Sequence, residues 1–224
     1  MKLDNEIKLD FSDVLIRPKR SELSSRSEVD LIRKITFKYS DYVWEGLPII
    51  CSNMDTVSTI DMYQKISDFK MLMCFHKSID CHHIIQNNCD PNYFMLSTGI
   101  SDDDLISLKL NINKLYQHGI DVKFICIDVA NGYMFKLIEF CKQVREMYPN
   151  KIIVAGNVVT RELVEELIIN GKVDIVKVGI GSGAVCTTRL QTGVGMPQFS
   201  SVMECADAAH GLGGHIISDG GICY

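Results

Sequence analysis

Residues 174–189 read Asp174-Ile-Val-Lys-Val-Gly-Ile-Gly-Ser-Gly-Ala-Val-Cys-Thr-Thr-Arg189. An apolar run of strand length passes directly into a glycine-rich loop that carries one cysteine, Cys186. The run lacks strict alternation, which suits a strand buried on both faces of a parallel sheet. The glycines that follow let the backbone turn through positive φ and approach a ligand closely. A thiol presented there reaches that ligand, and as thiolate it is a strong nucleophile. Hydroxyls at Thr187 and Thr188 can move protons or orient a leaving group. Most cysteines are small buried hydrophobes; the glycine and threonine setting points to chemistry at this one.

The same kind of run recurs outward along the chain: Leu47–Cys51, Met71–Phe75, Tyr93–Ser97, Lys123–Asp128, Lys151–Ala155 and His215–Ser218. Helix-like segments lie between the runs. Ser101-Asp-Asp-Asp104 resembles a capping box with acidic residues at the positive helix end. Leu105–His118, Tyr133–Tyr148 and Thr160–Asn170 carry apolar residues at helical spacing. Strands alternating with helices are βα units, hence an α/β fold. Polar or glycine-rich residues follow most runs, as in Ser52–Asp55, His76-Lys77, Asp128–Asn131, Gly156-Asn157 and Asp219–Gly221. A doubly wound open sheet also fits the pattern. A (β/α)8 TIM barrel fits better, because it gathers such strand ends around one active-site mouth.

With no linker or composition break, residues 1–224 are expected to form a single domain. Only seven runs are present, so the expectation is an incomplete barrel that ends just after its seventh strand. A truncated or shortened chain follows from that reading. So does poor turnover by these residues alone, since an unclosed barrel leaves strand edges unpaired.

Apolar residues make up 46% of the 224 positions, which excludes disorder. No apolar run approaches the ~20 residues that span a membrane. The first residues, Met1 to Lys8, alternate charge and lack a signal-peptide core. A net charge of −5 argues against a nucleic-acid surface and permits a local anion pocket. The nine cysteines are an odd number, scattered partly within apolar runs. That is reduced, cytoplasmic usage. Cys81-His-His83 with Cys89 matches no common zinc spacing and reads as one surface helix with polar and apolar faces.

The loop resembles the active-site loop of the IMP dehydrogenase and GMP reductase family. Cys186-Thr-Thr-Arg189 and Thr192-Gly-Val-Gly195 are nearer its reductase branch, since the dehydrogenases usually place isoleucine after the cysteine and lack this arginine. The resemblance runs from about Lys8 to the last residue. It implies NADPH-dependent reductive deamination of GMP to IMP and ammonia, with Cys186 adding to C2 of the purine and Thr188 relaying protons. It also implies nucleotide binding at Asp219, Gly220 and Gly221. Cofactor contacts are implied at Ser25, Arg26, Lys77, Asp128, Val129, Ala130, Ile180 and Gly181. A potassium ion would lie on carbonyls of Gly181, Gly183 and Cys186 with Arg189 nearby, and the assembly would be a homotetramer. Two alternatives stand beside this: an IMP dehydrogenase, and an inactive nucleotide-binding fragment or regulatory partner.

Overall fold

All seven apolar runs become parallel strands. The protein is described by a computed structural model covering residues 5–222; Cys223 lies outside them. After two short antiparallel strands, β1 (Arg33–Thr36) and β2 (Val43–Gly46), come β3 (Ile50–Cys51), β4 (Leu72–Phe75), β5 (Phe94–Thr98), β6 (Phe124–Asp128), β7 (Ile152–Val158), β8 (Ile175–Val178) and β9 (His215–Ser218). The last seven form one parallel sheet whose spatial order is the chain order. The sheet curls into an incomplete (β/α) barrel, with β3 and β9 at its edges. Helices α1 (Ile60–Ser67), α2 (Cys81–Gln86), α3 (Asp102–Gln117), α4 (Phe135–Met147), α5 (Arg161–Ile169), α6 (Thr188–Thr192) and α7 (Gln198–Gly211) occupy the connections.

Alternation along each strand divides the core in two. Leu72, Cys74, Met95, Phe124, Cys126, Ile152, Val154 and Ile175 fill the barrel interior. Their neighbours Met73, Phe75, Phe94, Leu96, Ile125, Ile127, Ile153 and Val176 pack under the helices. Both sets are buried, so each run reads as continuously apolar. The expected capping box starts α3: Ser101 Oγ accepts from Asp104 N–H, and the Asp104 carboxylate accepts from Ser101 N–H. Residues 81–89 do not form one helix. Only Cys81–Gln86 is helical, and Cys81 and Cys89 are both buried in the outer core.

The β1–β2 pair was not expected from sequence. It covers the N-terminal end of the barrel. Trp44 enters the interior and donates from Nε1 to Asn92 O at 2.9 Å. Phe37 stacks edge-on against Phe124, at the start of β6. The floor is fixed by Asp174, fully buried just before β8. Its carboxylate accepts from Tyr39 N–H (2.8 Å), Ile153 N–H (2.9 Å) and the Arg145 guanidinium (2.6 Å).

Candidate active site

Two residues further along the strands, the interior turns from apolar to polar. On β6, Cys126 is followed inward by Asp128; on β8, Ile175 is followed by Lys177; beyond β9, Ile217 is followed by Asp219. The period of two therefore places these three side chains in one layer above the apolar floor. The geometry agrees: Lys177 Nζ lies 2.8 Å from Asp128 Oδ1 and 3.3 Å from Asp219 Oδ2. Asn53 donates to the other Asp128 oxygen at 2.7 Å. Asn157 Nδ2 lies 2.7 Å from Asp219 Oδ2 and 2.8 Å from Gly179 O, donating to both. Burial penalises the Lys177 charge, but Cys126, Asp128 and Asp219 outweigh it and hold its pKa above the usual lysine value.

This layer forms the base of a cavity of about 810 Å³, within the range of small-molecule sites. Cys186, Thr188, Asp128, Val129, Ala130, Ile180, Gly181, Gly183, Asp219 and Gly220 all line it. Gly221 sits just outside, against Gln198 and Ser182. The two glycine loops are fastened together: Ser182 Oγ donates to Asp219 O, and the fully buried Gln198 donates from Nε2 to Val178 O at 2.7 Å. Gly181 has φ +74° and leaves no room for a Cβ beside the Arg189 side chain, so glycine is required there.

Cys186 is the exposed thiol among eight free cysteines of the described residues. Burial pushes the Cys89 thiol up to about 11 and Cys205 up to about 12. Cys186 moves the other way. Its Sγ is 3.2 Å from Thr188 Oγ1, and the Thr188 hydroxyl and backbone N–H lower its pKa, with a smaller contribution from Arg189. A reactive cysteine needs this combination of access and depressed pKa.

Three expected cofactor residues stand apart. Lys77 pairs with Asp104 at 3.1 Å and lines a separate cavity beside α3. Ser25 and Arg26 lie in an exposed turn that lines neither cavity. Sequence reasoning put Asn53 and Asn157 among the strand-end residues of the mouth without a role, and missed Lys177, Gln198 and Asp10, whose carboxylate pairs with Arg189 at 3.1 Å. For Lys177 the signal was present: a lysine two residues after Ile175 in a doubly buried strand faces inward. Among the described residues there is no cluster of three or more His, Cys, Asp or Glu that would hold a metal, and no helix long and apolar enough to cross a membrane.

The model of the IMP dehydrogenase / GMP reductase domain matches residues 94–224. Similar curated proteins named GMP reductase come from Buchnera aphidicola subsp. Acyrthosiphon pisum (strain APS), 52% identical over 99% of this chain, and Aeromonas salmonicida (strain A449), 49% identical over 99%. A third, from Shigella boydii serotype 18, is 52% identical over 99%. The chain spans 63% of the Buchnera protein's length and 64% of the other two. With more than half its length matched by that domain, the chain belongs to the IMP dehydrogenase / GMP reductase family.

Proposed function

We propose that this chain carries the nucleophile and nucleotide loops of a GMP reductase, an oxidoreductase that converts GMP to IMP and ammonia with NADPH. The observation that carries the reading is the exposed, pKa-lowered Cys186 beside Thr188, on the same cavity as the Asp219-Gly220 turn. The names of its relatives support the substrate.

A purine carbon bearing an amino group is a poor electrophile, and covalent attack divides the task into easier steps. The Cys186 thiolate adds to C2. Thr188 passes a proton to the amino group, ammonia departs, and a thioimidate remains on the sulfur. NADPH, when bound, supplies the hydride that restores hydrogen at C2. The C–S bond then breaks, its electrons return to Cys186, and IMP leaves. The sum is GMP, NADPH and a proton giving IMP, NADP⁺ and ammonia. Asp219 accepts from ribose hydroxyls, and the amides of Gly220 and Gly221 face the phosphate.

The cavity fits the reactive end of the cofactor, with Asp128, Val129, Ala130, Ile180 and Gly181 on its wall. Lys177 is the cation among its lining residues, and its charge is committed to two carboxylates. Lys77, Ser25 and Arg26 stand outside, so their part is at the cofactor's far end. A potassium ion suits the Gly181, Gly183 and Cys186 carbonyls. Gly183 O here accepts from Cys186 N–H at 3.0 Å, a bond that ion binding would compete with, and Arg189 lies against Gly181. A cytoplasmic homotetramer completes the proposal.

The test is GMP-dependent NADPH oxidation with Cys186→Ala in the polypeptide that contains this chain. Turnover should fall at least about a hundredfold while GMP still binds. Retained turnover, or faster formation of XMP from IMP and NAD, refutes the assignment.

A further inference from the structure

The Cys186 loop has little apolar anchorage. Val185, Leu190 and Val194 are 81%, 86% and 55% exposed, so packing does not hold it. Its fastening is Arg189. That side chain lies over both Gly181 and Gly195, where an added Cβ would run into Arg189 Cγ. It thus draws the two ends of the loop together. One end of its guanidinium donates to Met196 O, and the other pairs with Asp10.

Asp10 comes from the far end of the chain and makes a second contact with its other oxygen, accepting from Gln198 N–H at 2.5 Å. Gln198 is the first residue of α7, and Pro197 before it provides no side-chain cap. The carboxylate therefore caps α7 from outside, where helix polarity favours a negative group. The neighbours of Asp10 are docked as well. Leu9 N–H donates to Ser200 Oγ at 2.8 Å, and Ser200 N–H donates to Leu9 O at 3.1 Å. Phe11 stacks edge-on against Phe199 at 5.6 Å, and Lys8 pairs with Glu204. Docking stops there: Leu15 and Ile16 are 98% and 97% exposed.

We propose that Asp10 is a positioning residue, and that the segment Lys8–Phe11 is a strap that fixes the Cys186 loop to the start of α7 through Arg189. One carboxylate holds the cap of a helix and the staple of the loop together, so the loop's position is referred to the α5–α7 side of the barrel. The Asp10–Arg189 pair is about one-third exposed on each side. Such pairs add little to global stability. Its effect is on local order, and a nucleophile displaced from its near-attack position loses rate rather than affinity.

The inference deepens the proposed function and rests on it for the kinetic readout. Hydrogen exchange and Cys186 alkylation do not depend on that reading. Asp10→Asn keeps an acceptor for Gln198 N–H but removes the charge facing Arg189; Asp10→Ala removes both. Asp10→Asn should speed amide exchange across residues 181–196 at least about fivefold, with strands β5 to β8 unchanged. It should lower kcat about five- to tenfold with KM for GMP within about twofold. Asp10→Ala should also speed exchange in the first turn of α7. If exchange and Cys186 alkylation in Asp10→Asn equal wild type, or if exchange rises uniformly across the barrel, the strap is overturned. If wild type turns over no GMP, the reductase reading fails, and loop exchange alone still decides the role of Asp10.

Discussion

Replacing Lys177 by methionine isolates the charge layer at the base of the cavity. Methionine keeps most of the volume and removes the ammonium. The Lys177 side chain is 9% exposed, whereas those of Asp128 and Asp219 are 28% and 31% exposed. Breaking a buried pair by removing one partner costs about 3–5 kcal/mol. Here the stranded carboxylates are partly solvated and keep Asn53 and Asn157 as donors. The expected loss is therefore about 1.5–3 kcal/mol. The folded pKa of Lys177 is raised, so its contribution is fully present below the ordinary lysine value of 10.5. It is lost only as pH rises through the higher folded value. The deficit of Lys177→Met should consequently be flat between about pH 6 and about pH 9. Equilibrium denaturation across that range measures it. A double-mutant cycle with Asp219→Asn should show coupling of about 1 kcal/mol, because Asp219→Asn removes one of the two stranded charges. A deficit under about 0.5 kcal/mol, or strict additivity in the cycle, would refute the reasoning.

Two further predictions address the ends of the barrel. Thr188→Val should raise the pH midpoint for alkylation of Cys186 toward the ordinary thiol value, because the hydroxyl is the leading cause of the lowered pKa; it should also cut GMP turnover by about 10²–10⁴ through loss of proton transfer, and an unmoved alkylation profile would contradict this. Asp174→Ala should destabilise the protein by about 2–4 kcal/mol, since it leaves the buried Ile153 N–H and the half-buried Tyr39 N–H without an acceptor and removes the counter-charge of Arg145, which keeps backbone carbonyls as acceptors; a denaturation shift below about 1 kcal/mol would show that the floor does not depend on it.

The barrel was legible because its strands are buried on both faces. Period-two alternation between interior and helix-facing cores leaves no polar position until the strand ends, so every run stood out. The β1–β2 pair escaped because Arg33, Lys34 and Glu45 interrupt it and its inward burial rests chiefly on Trp44. Cys186 was legible from its glycine setting, which is a local property. The partners of Lys177 were not, because Asp128 is 49 residues away and is brought near only by strand register. Asp10 and Arg189 are 179 residues apart, and neither residue's surroundings in sequence announce the other. The same limit applies to Gln198, whose Nε2 donates to carbonyls at the end of β8 and just after β9.

These contacts imply a division of labour along the barrel axis. At the floor, Asp174 is fully buried and holds the backbone of two segments and the Arg145 side chain, so a change there should appear in global unfolding before it appears in rate. At the mouth, Cys186 is exposed, and Thr188 and the Asp10–Arg189 staple are half-buried. A change there removes little burial and should appear in thiol reactivity and kcat at nearly constant stability. Lys177 lies between the two: it is buried like the floor, and it touches the carboxylate expected to hold the ribose. It alone should move both quantities together. The separation follows from placing an exposed thiol on a loop fixed by hydrogen bonds above a strand fixed by core packing, since the two kinds of restraint fail under different perturbations.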